Sequence, residues 1–392
     1  MRNIDVSTAR INYPEKRCIV NDGFFNVEDI EKYDIYRYKN KFLELFGVDS
    51  KGYICKDIRP SIFRKNKFYY NFNYIAETNF NWGATFETTI PRIPSITDIH
   101  RRPDSDIDYS NIKALDNYLK LLSKNNCKFL NALSNSAYNI QMELISEYPE
   151  YQEVISNKIE VLHPPQKILI ESKDINNSDI LEFIFVGRDF YRKGGAEVVL
   201  AFDSLISDGV LTNRNIKLNI IGNIDNEFNY VHGDYQDDDL FHSNIKKIIS
   251  SSDYIKIYPS LDNSELMKLI STQDLGLLPT WGDTYGYSVL EMQACFVPVI
   301  TTSVRALPEI NLQSNIISLP SNKFGELIIQ SYFDKNNLRE AIISNLKSKI
   351  MGYFYNRVSI KDSAQLSIEK LKKDHDYNKY LTLLKIGIMN KI

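Results

Sequence analysis

Two stretches of this chain gather charged side chains and glycines where an apolar strand pattern passes into a helical one. The first reads Phe185-Val186-Gly187-Arg188-Asp189-Phe190-Tyr191-Arg192-Lys193-Gly194-Gly195. Gly187 lets the chain turn, and Gly194-Gly195 let the backbone approach a ligand closely. Arg188 and Lys193 put two cations at the carboxyl end of the strand, beside the free amides of a helix start. That set suits a diphosphate, and seen alone it reads equally as a solvated loop with surface cations. The second stretch reads Pro279-Thr280-Trp281-Gly282-Asp283-Thr284-Tyr285-Gly286-Tyr287-Ser288-Val289-Leu290-Glu291. The amides near Tyr285, Gly286 and Tyr287 open a helix and can hold a phosphate. Asp283, in the loop, can accept hydrogen bonds from sugar hydroxyls, and Glu291, inside the helix, can do so from a ribose. The plainer alternative has Asp283 capping the helix and Glu291 solvated.

The elements around these stretches alternate. Strand patterns at Leu181–Val186, Lys217–Ile221, Tyr254–Tyr258, Leu275–Leu278, Val297–Thr301 and Asn315–Leu319 are separated by helical patterns at Gly194–Ile206, Phe241–Ile249, Ser264–Ile270 and Tyr285–Ala294. Such alternation predicts right-handed βαβ units and a parallel sheet, with ligands beyond the carboxyl ends of its strands. The first half is less regular. Residues 1–80 are rich in Tyr, Phe, Asn and Lys without a clear pattern. Beyond them, Asn111–Leu122 has helical spacing, Lys128–Leu133 and Lys158–Leu162 read as strands, and Ser134 suits a helix N-cap. His163-Pro164-Pro165 halts regular structure and marks a domain boundary, and His163 reads as interdomain packing. The tail from 334 to 392 reads as mostly helical, with an apolar face on Tyr380–Leu384 and Ile386.

Length and composition fit two globular domains, each long enough for its own core: 392 residues, 43% hydrophobic and 25% charged. A net charge of −3 gives no electrostatic case for nucleic acid. Cys18, Cys55, Cys127 and Cys295 form no CxxC pair, so neither a zinc site nor a disulfide framework is expected. No signal-peptide pattern opens the sequence and no run of about 18 apolar residues occurs, so a cytoplasmic location is expected.

Taken together, the two motifs resemble those of the retaining, GT-B-fold glycosyltransferases often grouped as family 4. The resemblance rests on Gly187-Arg188 with Lys193-Gly194, on Asp283 and Glu291 at their spacing, and on Pro298-Val299-Ile300 behind the helix. It extends to Pro308-Glu309 and to the strand and glycine turn Lys217–Gly222, and covers about residues 160–312. It implies that Arg188 and Lys193 bind a donor diphosphate, that Asp283 touches the transferred sugar, and that Glu291 holds the ribose. Gly187, Gly222, Tyr285, Gly286, Tyr287 and Glu309 would complete the nucleotide-sugar site. Three departures stand out: the first acid is Asp283 where Glu is usual, Ala306 stands near the place of a glycine, and no N-terminal glycine-rich loop is evident.

The resemblance further implies two Rossmann-like α/β domains, each with a parallel sheet, facing each other across a cleft. Residues 1–165 would bind the acceptor, 166–345 the donor, and 346–392 would form helices packing back on the first domain. The expected reaction moves a sugar from a UDP-, GDP- or other nucleotide sugar to a glycan or lipid-linked acceptor, with retention and without a metal, in bacterial surface-polysaccharide synthesis. A nucleotide-sugar epimerase on the same fold, or an inactive sugar-binding scaffold, are the alternatives. Related enzymes place a histidine or acid of the first domain near the donor sugar. His100 is the candidate, and as a lone histidine it reads also as structural.

Four other features read at least equally well as plain surface or core. Asp104-Ser105-Asp106-Ile107-Asp108 carries the Asp-x-Asp pattern of a metal site, but it lies in a polar loop before a helix and not at a strand end, so no metal is expected. Asp237-Asp238-Asp239 reads as another polar loop, and Trp82–Glu87 as an aromatic strand ending in a solvated Glu, the alternative being a strand that ends at the interdomain cleft. Lys51, Lys56, Arg59, Arg64, Lys65 and Lys67, interleaved with Tyr53, Phe63, Phe68, Tyr69 and Tyr70, form a basic stretch that could face a charged acceptor or anionic headgroups at the inner face of the plasma membrane. A solvated loop is its alternative.

Overall fold

The structure is a computed structural model that describes residues 4–18, 25–46, 53–64, 68–110, 112, 115–173 and 179–389. It divides into two compact units, Met1–Pro165 with Asp376–Ile392, and Gln166–His375.

The first unit is built on a six-stranded, all-parallel sheet. Its strands are β1 (Ile4–Thr8), β2 (Phe25–Asp29), β4 (Phe68–Phe72), β6 (Trp82–Phe86), β7 (Cys127–Ala132) and β8 (Ile159–Val161), in the order β2-β1-β4-β6-β7-β8. Two short strands, β3 (Ile54–Cys55) and β5 (Ile75–Ala76), pair beside it. The region up to residue 80, irregular by sequence, therefore contains five strands. One sheet face, with Trp82, Phe86 and Leu130, packs under the helices Leu115–Ser123 and Asn135–Ser146. Ser134 caps the latter through the Ala137 N–H at 3.0 Å. The predicted start of the former, at Asn111, lies outside the described residues. The other face, with Phe68, Tyr70 and Phe129, is closed by Tyr380, Leu384 and Ile388 of the helix Tyr377–Met389. The Tyr380 hydroxyl donates to the Cys18 carbonyl at 2.9 Å, which is why the end of the chain belongs to this unit.

The second unit carries β9 (Leu181–Asp189), β10 (Ile216–Asn223), β11 (Ile255–Tyr258), β12 (Leu275–Leu278), β13 (Val299–Thr302) and β14 (Ile316–Ile317), all parallel, in the order β11-β10-β9-β12-β13-β14. Strand β9 runs three residues past its predicted end, through Gly187. The chain winds outward from β9 to β11, then returns to β12 on the other side of β9. The carboxyl ends of β9 and β12 therefore flank the topological switch point, where crossovers leave in opposite directions and open a crevice. The helix Tyr332–Tyr355 packs on the helix Gly195–Ser207, and Val358–Asp374 packs on Tyr287–Ala294. Residues 346–375 thus lie with the second unit, and of the tail expected to return to the first domain only the segment from Asp376 does so.

Candidate functional site

The two loops that leave β9 and β12 meet at this switch point. Gly194 sits in the left-handed region at φ +84°, and a Cβ there would stand 2.1 Å from the Pro279 carbonyl oxygen. Only glycine permits that approach of one loop backbone to the other. Gly187 and Gly222 stack beneath, since a Cβ on Gly222 would lie 2.5 Å from the Gly187 carbonyl oxygen. The Trp281 N–H donates to the Arg192 carbonyl at 2.9 Å, and the Arg192 guanidinium donates to the Gly282 carbonyl at 2.6 Å. Arg192 also pairs with Asp189. It is a staple between the loops that the sequence reading passed over, because its acceptors lie on a segment 90 residues away.

Lys193 and Asp283 are brought together: Nζ donates to Oδ2 at 2.5 Å. Both are largely enclosed. Burial alone would push the Asp283 carboxyl up, but Lys193 and, more distantly, Arg192 outweigh it and hold the carboxyl below its usual range. Asp283 does not cap the following helix. The N-cap of Tyr287–Ala294 is Gly286, at φ +95° and without a side-chain bond, while Asp283 accepts from the Tyr285 N–H at 3.4 Å. Arg188 points outward, exposed, and makes no ion pair among the described residues.

The other expected residues differ in burial and in the unit that holds them. Tyr285 is buried, with its ring 5.3 Å from that of Tyr287. Glu291 is buried on its helix, not solvated; burial first, and then the Glu291 charge, push the Cys295 thiol up to about 11. Glu309 is half-buried in the short helix Leu307–Ile310, whose Leu307 closes on Gly286. His100 belongs to the first unit, where it is buried at the end of the helix Pro94–Ile99 and its N–H donates to the Ile96 carbonyl at 3.3 Å. His163 is half-buried at the end of the first unit's main segment.

Behind the second loop lies a charge cluster that corrects the reading of Asp237 as polar loop. Asp237 is enclosed and accepts from Arg339 (2.9 and 2.6 Å) and from Lys335 (2.8 Å), and Arg339 also reaches Glu197 at 2.9 Å. Burial raises the Asp237 carboxyl, but these two cations hold it below its ordinary value. His232 stands edge-on to Trp281 at 4.7 Å and accepts from the Asn229 side chain at 3.0 Å. Burial first, then Arg339 and Lys335, push it down to about 3 against the pull of Asp237. It therefore stays neutral and packs the tryptophan that precedes Gly282 and Asp283. Only Asp238 behaves as a loop acid, capping the helix Asp239–Ser251.

In the first unit, Glu87 is also not solvated. It is buried, pairs with Arg92, and its backbone N–H donates to the Asn73 side chain at 3.1 Å. A cavity of about 300 Å³ lies at the carboxyl ends of β1 and β4, the switch point of that sheet, lined in part by Arg10, Asp34, Arg37, Lys41 and Tyr74. The Asp104–Asp106 turn is exposed, and among the described residues no three His, Cys, Asp or Glu converge on a metal geometry.

No curated protein sequence matches the chain significantly. Among solved structures it resembles a glycosyltransferase from Rickettsia africae ESF-5, at 13% identity and TM-score 0.57, over 99% of each chain. It also resembles sucrose-phosphate synthase from Thermosynechococcus elongatus, at 13% identity and TM-score 0.54, over 97% of this chain and 86% of that one. A UDP-forming α,α-trehalose-phosphate synthase from Burkholderia xenovorans gives 11% identity and TM-score 0.53, over 83% of this chain and 74% of that one. At such identities the likeness establishes the fold, the α/β architecture with two parallel sheets of GT-B glycosyltransferases. Residues 167–357 match the family model described as Glycosyl transferases group 1, so the second unit carries a domain of that family.

Proposed function

We propose that the protein is a glycosyltransferase that moves a sugar from a nucleoside diphosphate to a glycan or lipid-linked acceptor, with retention and without a metal. The observation that carries this reading is the junction of two glycine-bearing loops at a switch point, with Lys193 and Asp283 in contact at 2.5 Å. A buried ammonium held by a carboxylate is oriented before any ligand arrives. A diphosphate entering beside it adds a second anion to Lys193, and Arg188 and the amides at Gly286 and Tyr287 complete the cradle. Breaking the anomeric bond leaves an oxocarbenium-like sugar and adds charge to the diphosphate, so these donors act where charge develops. Asp283 would then share its hydrogen bonds with hydroxyls of the sugar, and Glu291 with the ribose, joined by Gly187, Gly222, Tyr285 and Glu309 around the nucleotide. The cavity of the first unit, with Arg10, Arg37 and Lys41, supports an acceptor role for that unit. A catalytic part for His100 is carried by the family resemblance alone. A place at the cytoplasmic face of a bacterial membrane, in surface-polysaccharide synthesis, fits the supply of nucleotide sugars there.

The test is a thermal-shift screen of the whole chain against UDP-, GDP- and ADP-sugars with chelator present. A donor at about 100 times its Kd stabilises the native state by about 2.7 kcal/mol. For a unit of this size that is a rise of roughly 5–10 °C. Lys193→Ala and Glu291→Ala should each lose most of it while still melting in one cooperative transition. An undiminished shift in both variants would sink the site. An epimerised nucleotide sugar formed without acceptor would replace transfer by epimerisation.

A further inference from the structure

Seven of the twenty exposed large apolar side chains among the described residues fall between Ile35 and Ile62. Five of them belong to one helix, Ile35–Glu44, and its first residues beyond: Ile35, Tyr38, Phe42, Leu45 and Phe46. At about 100° per residue these five occupy a single arc of about 100°. The Phe42 and Phe46 rings lie against each other along it, centroids 5.0 Å apart and planes tilted by 57°. Phe42 is 60%, Leu45 82% and Phe46 68% exposed. Lys39 and Lys41, both exposed, border the arc on its two sides. The opposite face holds the helix to the unit: Tyr36 packs on the core and bonds Glu77, and Asp34 caps the first turn through the Tyr36 N–H at 3.1 Å. This is an amphipathic helix turned outward, its apolar face uncovered by any of the described residues.

Charge indicates what covers that face. The helix and the two residues after it, 35–46, hold Arg37, Lys39 and Lys41 against Glu44, a net +2 in a chain whose total is −3. Two copies meeting face to face through this patch would set like charge against like. An anionic bilayer meets both features, taking the apolar arc below its headgroups and the lysines at headgroup level. The basic-aromatic stretch noted in the sequence contributes less than its composition implies. Phe68, Tyr69 and Tyr70 are core residues of β4, and Lys56 and Arg59 are paired with Glu77, Asp57 and Glu28. Lys51, Lys65 and Lys67 lie outside the described residues.

We propose that the helix Ile35–Glu44 docks the protein on anionic lipid, with Phe42, Leu45 and Phe46 entering the interface between Lys39 and Lys41. This deepens the membrane contact proposed above, and it is tested without donor, so that docking and the donor site can fail separately. The full chain is floated with phosphatidylcholine vesicles containing roughly a third phosphatidylglycerol, and with phosphatidylcholine alone. Binding to the first and not the second is expected. Phe42→Ser with Phe46→Ser should lower partitioning at least about tenfold. Lys39→Gln with Lys41→Gln should lower it by roughly tenfold or more. Phe228→Ser with Leu240→Ser, exposed in the second unit, should change nothing. Equal binding to neutral vesicles, or undiminished binding by the Phe pair, overturns the proposal. So does a dimer in vesicle-free buffer that the Phe pair dissolves, which would give the face to a second copy. An unchanged melting temperature and donor shift in the Phe pair separate lost docking from lost fold.

Discussion

Gly194→Ala tests whether the approach of the two loops builds the site. Two costs act at that position. The first is the left-handed backbone, φ +84°, which costs an alanine about 1–2 kcal/mol. The second is contact, because the new Cβ would stand 2.1 Å from the Pro279 carbonyl oxygen and 2.6 Å from its carbon. Those are backbone atoms, so relief requires the loops to part. Parting them strains the bonds from Trp281 N–H to the Arg192 carbonyl and from Arg192 to the Gly282 carbonyl. At about 1 kcal/mol each, these add about 2 kcal/mol. Gly209→Ala supplies the matched control: its φ is +72°, and nothing lies within 4 Å of its would-be Cβ. It carries the backbone cost alone. Both positions lie in the 210-residue unit Gln166–His375, where 1 kcal/mol moves the melting temperature by about 2–4 °C. Gly194→Ala should therefore melt a further 4–8 °C or so below Gly209→Ala, and it alone should lose the donor-induced shift. Equal melting temperatures with both donor shifts intact would refute the idea that loop contact forms the site.

Two further outcomes follow from the same unit. His232 is pushed down to about 3 when folded, so between its unfolded value near 6.5 and about pH 4 the unfolded state binds a proton the folded state does not. Stability should fall with falling pH by about 1.4 kcal/mol per unit in that window. Urea titrations at several pH values should show that slope reduced by about this amount in His232→Asn, and an unchanged slope would contradict a neutral, enclosed imidazole. Transfer activity should survive exhaustive chelation. Loss on chelation with rescue by manganese would return attention to Asp104, Asp106 and Asp108.

Sequence reading worked where the physics is local and failed where it is not. Strands β9 and β12 of the second unit are buried on both faces, so Leu181–Val186 and Leu275–Leu278 announce themselves as apolar runs. The first sheet hides its strands, because Ser7, Thr8, Asn71, Thr85 and Asn131 are buried in it. Hydropathy counts them as surface. They are tolerated inside because distant segments satisfy them: Asn71 accepts from the Ala9 N–H at 2.9 Å, and Thr85 meets the Tyr70 hydroxyl at 2.5 Å. Asp237 misleads in the same way, since its cations come from a helix about 100 residues further on. The motif spacings place Lys193 and Asp283 each at the end of a strand, but spacing cannot say that the two ends are neighbours. Sheet order decides that. With β9 beside β12 the loops share one crevice, and a lysine and an aspartate 90 residues apart become a contact pair. Had another strand lain between them, at about 4.8 Å per strand, the same two side chains would stand too far apart to form this contact. The site is thus a property of the strand order, and the glycines of the two loops are what let their backbones close once that order is set.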